Sequence, residues 1–302
     1  MIKVALEPTQ PEQFVIAIEK AGATVSKLSH DVHALVWTDY WQPNFLRETL
    51  EANPQLQWVQ LPFAGVDAFQ ELLKMPITFT SAKGAYREPV AEHALALCLA
   101  LGRKIPDRAK ATSWGEKFAV SLYESHVLVL GGGGITSEFL KQLQPFGTEV
   151  TVVSKSGDAL AGATRTLPFN DLDEWLPKAD FVVLAAALTD ETRGVIDAER
   201  LSRMKQSAYL VNVARGAHVV TSDLIFALNS GVIAGAALDV TEPEPLPTGH
   251  PLWTAKNCLI TPHTADTPAQ VTRLLAERIE ANTRAFITST DWVGLVDPKQ
   301  GY

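Results

Sequence analysis

The chain of 302 residues has only two cysteines, Cys98 and Cys258. Two thiols cannot build a disulfide framework or a cysteine zinc site, which excludes the small secreted class and fits a reducing, cytoplasmic setting. Base is also scarce. Lys and Arg number 26 against 34 Asp and Glu, for a net charge of −8, and no basic cluster forms the stripe that nucleic-acid binding needs. Long apolar runs are missing too. Ala94 to Leu101, the most apolar stretch away from Gly and Pro, is too short to span a bilayer and is followed by Arg103-Lys104. The opening Met1-Ile2-Lys3-Val4-Ala5-Leu6 reads as a first strand rather than a signal peptide, which needs a longer apolar stretch and a small-residue cleavage site. The expectation is a cytoplasmic protein that engages neither membrane nor nucleic acid.

What the chain does have is 46% hydrophobic residues, enough for a large core. At about 100–200 residues per domain, its length predicts two domains. Strand-like runs at Ile2–Leu6, Val32–Trp37, Leu56–Leu61 and Ile77–Thr80 alternate with helical patterns at Pro11–Ala21, Asn44–Glu51 and Val66–Leu73. A long helix follows from Arg87 to Gly102. The alternation then resumes with strands at His126–Leu130, Glu149–Ser154, Phe181–Ala186, Tyr209–Val213, Ile233–Val240 and Cys258–Thr261. Helices are predicted at Ile135–Leu143, Leu172–Leu176 and Ser222–Asn229, and a last one from Pro268 to Phe286. Strands alternating with helices imply βαβ units and parallel sheets. Short apolar runs suit strands buried on both faces. The stretch Glu242-Pro243-Glu244-Pro245-Leu246-Pro247 must be a loop, because each proline removes a donor and restricts its neighbour.

The strand ending Val129-Leu130 runs into Gly131-Gly132-Gly133-Gly134-Ile135-Thr136. Strand, glycines and helix start are the context of a dinucleotide loop. Gly131 permits the tight turn, and Gly133 lets backbone approach a pyrophosphate seated on the helix dipole, with Gly134 and Ile135 opening the helix. The third position, which close helix–strand packing reserves for Gly or Ala, holds Thr136. Its hydroxyl could face a phosphate, or its bulk could loosen the packing. The next strand ends in Ser154-Lys155-Ser156, where an NAD site wants an acid for the ribose hydroxyls. Two hydroxyls and a cation suit a 2′-phosphate, so NADP is expected in preference to NAD.

Three polar residues follow at strand ends, where ligands bind in open α/β sheets. Arg215 can clamp a carboxylate bidentately. Glu244 can raise the pKa of an imidazole, and His263 can then donate a proton near neutral pH. His93 and His126 read as packing or capping residues, and His30, His33, His218 and His250 as surface. No group has metal-ligand spacing, so no metal is expected.

Taken together, these stretches resemble the D-2-hydroxyacid dehydrogenases, most closely the glyoxylate/hydroxypyruvate reductases. Further matching stretches are Phe63-Ala64-Gly65-Val66-Asp67, Pro89-Val90-Ala91-Glu92, Leu188 to Arg193, Asn212 to Gly216, Ala237 to Val240, Glu244 to Pro247, Thr261-Pro262-His263, and a tail of Val296-Asp297 and Gly301-Tyr302. The chain departs from the family at Thr136, at Lys155 where NADP-dependent relatives often carry Arg, and at Ala187 where proline is frequent. The resemblance implies two Rossmann-like or flavodoxin-like parallel-sheet domains with a cleft between them. Residues 1–98 plus 271–302 would form the substrate-binding domain and residues 99–270 the dinucleotide-binding domain. It further implies a homodimer that reduces a small 2-oxoacid. Arg215 would bind the carboxylate together with the amides of Ala64 and Gly65, and His263 would supply the proton, oriented by Glu244. Val213 and Ala214 would line the nicotinamide pocket and Asp239 would meet its carboxamide. Trp37 would either line the substrate side or fill the core. The alternatives are a phosphoglycerate dehydrogenase-like enzyme, a dimeric nucleotide-sensing protein with minor catalysis, and a hydrolase or transferase using the same loop for another adenosine ligand.

Overall fold

The computed structural model describes residues 2–298. Gly301 and Tyr302 of the tail resemblance lie outside them. The chain forms two compact units, Met1–Tyr86 with Thr267–Tyr302, and Arg87–Asp266. Each is an α/β unit around a wholly parallel sheet.

In the first unit the strands are β1 (Lys3–Glu7), β2 (Thr24–Ser26), β3 (Ala34–Trp37), β4 (Trp58–Gln60) and β5 (Thr78–Thr80), with helices α1 (Glu12–Lys20) and α2 (Pro43–Ala52) between them. Their order, β2-β1-β3-β4-β5, is the flavodoxin-like one. Apolar residues on both faces of β1 and β3 are fully buried, as central parallel strands require. Trp37 is among them. It packs edge-on against Phe45, so it is a core aromatic and not a pocket lining. The last helix of the chain, α9 (Pro268–Thr288), returns to pack on α1. Thr267 and Gln270 close a reciprocal capping box at its start, with Pro268 at the first helical position.

The second unit begins with α3 (Arg87–Gly102) and α4 (Ile105–Ala109). It continues through β6 (His126–Leu130), α5 (Gly134–Leu143), β7 (Glu149–Ser154), β8 (Arg165–Pro168), α6 (Leu172–Trp175) and β9 (Phe181–Leu184). It ends with α7 (Ala198–Arg203), β10 (Tyr209–Asn212), α8 (Thr221–Ser230), β11 (Gly235–Leu238) and β12 (Cys258–Ile260). The seven strands run β12-β11-β10-β9-β6-β7-β8. The strand order reverses between β6 and β9, the switch point at which doubly wound sheets bind ligands beyond their strand ends. The glycine loop follows β6 at that point.

The unit boundaries fall at 86/87 and 266/267 rather than at 98/99 and 270/271. The reason is α3, which is continuous through residue 98. It buries Ala91, Ala94, Leu97, Cys98 and Leu101 in the core shared with Phe139, Leu140 and Leu143 of α5. Four elements lay outside the sequence expectation: the edge strands β2 and β8 and the short helices α4 and α7. The helix expected over Val66–Leu73 is instead two 3-10 turns, Asp67–Phe69 and Leu72–Lys74. Among the described residues no helix is long and apolar enough to cross a membrane.

Thr136 is buried, and its hydroxyl donates to the Gly131 carbonyl at 2.6 Å. The third position of the loop therefore neither loosens the packing nor offers a hydroxyl to a phosphate. It ties the helix start back onto the turn. Thr136→Val keeps the shape and orphans that carbonyl, so it should lower unfolding stability by about 1 kcal/mol in a denaturant titration. An unchanged midpoint would show the bond to be idle.

Candidate active site

At Gly131 the backbone is left-handed, φ 113°, and a Cβ would lie 2.6 Å from the Ala185 carbonyl oxygen, so only glycine makes this turn. At Gly133 a Cβ would meet nothing within 4 Å. Gly132, Gly133 and Gly134 are exposed and Ile135 half-buried, leaving the N-terminus of α5 open to an anion. This cradle fits a dinucleotide diphosphate. At the end of β7, Ser154 Oγ accepts from the Gly157 amide at 3.1 Å and Ser156 Oγ from the Asp158 amide at 3.3 Å. The two serines shape a tight turn that leaves Lys155 exposed at its tip.

Beyond β10, the Asn212 side chain is buried and fixes the next turn. Its Nδ2 donates to the Arg215 carbonyl at 2.8 Å and its Oδ1 accepts from the Ala214 amide at 3.0 Å. Val213 and Ala214 are buried there. A Cβ on Gly216 would lie 2.0 Å from the backbone of Thr241, so this glycine lets the Arg215 turn press against the loop that carries Glu244. His218, expected at the surface, is fully buried: its ring nitrogens face the carbonyls of Arg215 at 3.0 Å and Ala187 at 3.3 Å. It joins two strand-end loops. His250 is half-buried, and its Nδ1 caps a short turn by accepting from the Leu252 amide at 3.2 Å.

Asp239, just past β11, anchors the segment after β12. Its side chain is 1% exposed. Its Oδ1 accepts from the Thr261 hydroxyl at 2.6 Å and the Thr264 amide at 2.9 Å, and its Oδ2 from the Ala265 amide at 3.1 Å. His93 Nε2, from α3, lies 3.2 Å from the same Oδ1 and 3.0 Å from the Thr261 hydroxyl. Burial pushes the Asp239 carboxyl up, but the bonds from His93, Thr261 and Thr264 outweigh it and hold it below the ordinary aspartate range. His93 therefore does more than pack, a role that its position just after the Pro89-Val90-Ala91-Glu92 stretch does not reveal.

So anchored, His263 takes a left-handed backbone, φ 52°, and its amide donates to the Asp239 carbonyl at 2.8 Å. Its Nδ1 lies 2.5 Å from Glu244 Oε1. That hydrogen bond raises the His263 pKa above its ordinary value against the opposing effects of burial and of the Arg215 charge. Burial raises the Glu244 pKa, but the hydrogen bond and charge of His263, the Thr241 amide and the Arg215 charge bring it below the usual glutamate range. Both shifts favour the charged forms, an imidazolium beside a carboxylate, within the field of Arg215. A half-exposed acid held by hydrogen bonds within the field of a cation, at the strand ends of the sheet that carries the glycine loop, can deliver a proton to an anionic substrate. Among the described residues no group of three side chains could hold a metal ion. Ala64 and Gly65 belong to the first unit, half-buried in the loop after β4.

Such a site belongs to the oxidoreductases that move a hydride to or from a nicotinamide dinucleotide. Residues 95–265 match the model of the D-isomer specific 2-hydroxyacid dehydrogenase NAD-binding domain. The chain is 38% identical to an uncharacterized protein of Corynebacterium melassecola, across 82% of this chain and 84% of that one. It is 34% identical to the glyoxylate reductase of Thermofilum pendens, across 80% and 74%. A D-isomer specific 2-hydroxyacid dehydrogenase from Xanthobacter autotrophicus Py2, solved with NADPH and MES, superposes with a TM-score of 0.85 at 30% identity, covering 100% of this chain and 99% of that one. The protein belongs to the D-isomer specific 2-hydroxyacid dehydrogenase family.

Asp239 holds its charge by hydrogen bonds, and removing that charge tests the anchor. Because folding lowers its pKa, its share of stability is complete above the ordinary aspartate range and is lost as pH falls through the lower folded value. Asp239→Asn sets an amide group against backbone N–H donors and should cost about 3 kcal/mol at neutral pH. Its unfolding curve should also lose part of the acid-side fall in stability. A variant with wild-type stability at every pH would contradict the anchoring role.

Proposed function

We propose that this protein reduces a small 2-oxoacid of the glyoxylate or hydroxypyruvate kind to the D-2-hydroxy acid, with NADPH preferred over NADH. The observation that carries this reading is the His263–Glu244 pair, held charged in the field of Arg215 at the strand ends of a dinucleotide-binding sheet. Bound at the glycine loop, the nicotinamide cofactor supplies the hydride to the carbonyl carbon. Arg215 binds the substrate carboxylate and polarises the ketone, assisted by the amides of Ala64 and Gly65. With Nδ1 committed to Glu244, His263 gives the proton on Nε2 to the carbonyl oxygen. Glu244 keeps the ring oriented and protonated. Val213 and Ala214 line the nicotinamide side and Asp239 stands at its carboxamide, while Gly131, Gly133, Gly134 and Ile135 hold the diphosphate.

The exposed Lys155 between two turn-forming serines supports NADPH, since a 2′-phosphate would meet a cation at 155, with the nearest acid, Asp158, only beyond Gly157. NADPH over NADH is also the form present in the Xanthobacter structure. A homodimer is part of the reading. Ile105, Trp114, Phe118 and Tyr123 are exposed along one segment, a concentration of apolar surface that a second copy would cover. The cytoplasmic setting rests on two unpaired thiols, both pushed by burial to a pKa of about 12 and so kept unreactive.

A 2-oxoacid panel run in parallel with NADPH and NADH tests the reading. Reduction with NADPH favoured is expected, and no turnover with any 2-oxoacid would leave the nucleotide-sensing alternative. His263→Ala should lower kcat by about 100-fold or more. Glu244→Gln removes the charge that raises the His263 pKa, so the reduction rate should begin to fall at a lower pH than in the wild type. A limb at the wild-type pH would remove Glu244 from its tuning role.

A further inference from the structure

Arg87 is the first residue of α3 and lies against Gly134, the first residue of α5. A Cβ on Gly134 would touch the Cβ and Cδ of Arg87 at 3.4 Å. The missing side chain at 134 therefore makes room for the arginine stem across the start of α5. The guanidinium is turned along the helix, where Nε lies 3.2 Å from Glu138 Oε1. Glu138 is four residues, or about one helical turn of 5.4 Å, past Gly134. Its carboxylate is also held by Lys141, at 2.9 and 3.0 Å from its two oxygens. The Arg87 side chain is 49% exposed and that of Glu138 only 14%. Lys141, at 67% exposure, flanks Glu138 from the other side, so Glu138 would keep a cation if the half-exposed Arg87 left.

We propose that Arg87 is a cofactor-positioning residue, whose guanidinium leaves Glu138 and closes over the diphosphate of the bound dinucleotide at the start of α5. The inference rests on the dinucleotide reading of the glycine loop. Backbone amides and a helix dipole alone face the diphosphate from within the loop. Arg87 adds a full charge and a planar pair of donors from outside it, matched to phosphate oxygens. Glu138 holds the side chain near its target in the ligand-free protein, which reduces the ordering cost on binding.

Calorimetric titration of the full chain with NADPH, and separately with adenosine 2′-monophosphate, which lacks the diphosphate, tests this. Arg87→Ala should raise the Kd for NADPH about tenfold, the loss of one charge-assisted contact, and leave that for adenosine 2′-monophosphate unchanged. Arg87→Lys should fall between. Glu138→Gln, which leaves Arg87, among the described residues, only the 4.0 Å contact with Glu88, should bind NADPH at least as tightly as the wild type. Equal NADPH affinity in wild type and Arg87→Ala would overturn the proposal. So would an equal loss for both ligands, which marks a packing role, or weaker binding by Glu138→Gln. A wild-type protein that binds neither NADPH nor NADH would instead defeat the dinucleotide reading itself.

Discussion

The buried carboxylate of Asp239 is the constraint on which the candidate site turns. The chain leaves β12 and at once adopts a left-handed residue at His263, a conformation that side chains other than glycine rarely take. It is held there because Asp239 collects the Thr261 hydroxyl and the Thr264 and Ala265 amides, while its own carbonyl accepts from the His263 amide. A neutral side chain could not accept all of these. The loop is thereby set against the one that carries Glu244, which Gly216 in turn allows to pack onto the Arg215 turn. Three consecutive strand ends are thus coupled by a buried acid, a missing Cβ and one short hydrogen bond between Glu244 and His263.

This arrangement separates local from global charge. The chain carries −8 overall, yet both proposed ligands are anions. In the proposed reading, attraction is built locally, from Arg215, His263 when protonated, Lys155, Arg87 and the N-terminus of α5. Glu244 offsets the charge of His263 at 2.5 Å, so the net positive charge at this pair comes from Arg215. Elsewhere on the surface, acids such as Glu71 and Glu174 are neutralised by Lys74 and Lys178, in exposed pairs that contribute little to stability.

Much of this was legible in the sequence, for identifiable reasons. Central parallel strands are continuous apolar runs, so β6, β7, β9 and β10 stand out. Edge strands are not: β8 is Arg165-Thr166-Leu167-Pro168 and β2 is three residues with none buried. The helix α7 is six residues long and is capped by Asp197, whose side chain accepts from the Arg200 amide, a cap with too short an apolar pattern behind it to be noticed. Between residues 66 and 74 the apolar spacing suits either one helix or two 3-10 turns, and tertiary packing chose the turns. Arg215, Glu244 and His263 could be picked out because each follows a strand. His93 and His218 could not, since nothing local tells a histidine that bridges loops from one that faces water. Thr136 looked like a defect because its compensation, a hydroxyl turned back onto Gly131, is a three-dimensional fact.

The central claim is that His263 is an imidazolium at neutral pH because Glu244 is ionised beside it. Nitrogen-15 NMR of the ring, followed through a pH titration of the ligand-free protein, measures this directly. The account predicts both ring nitrogens protonated at pH 7 and a midpoint above the ordinary histidine value of about 6.5. A ring that is neutral at pH 7, with an ordinary or lowered midpoint, would contradict it.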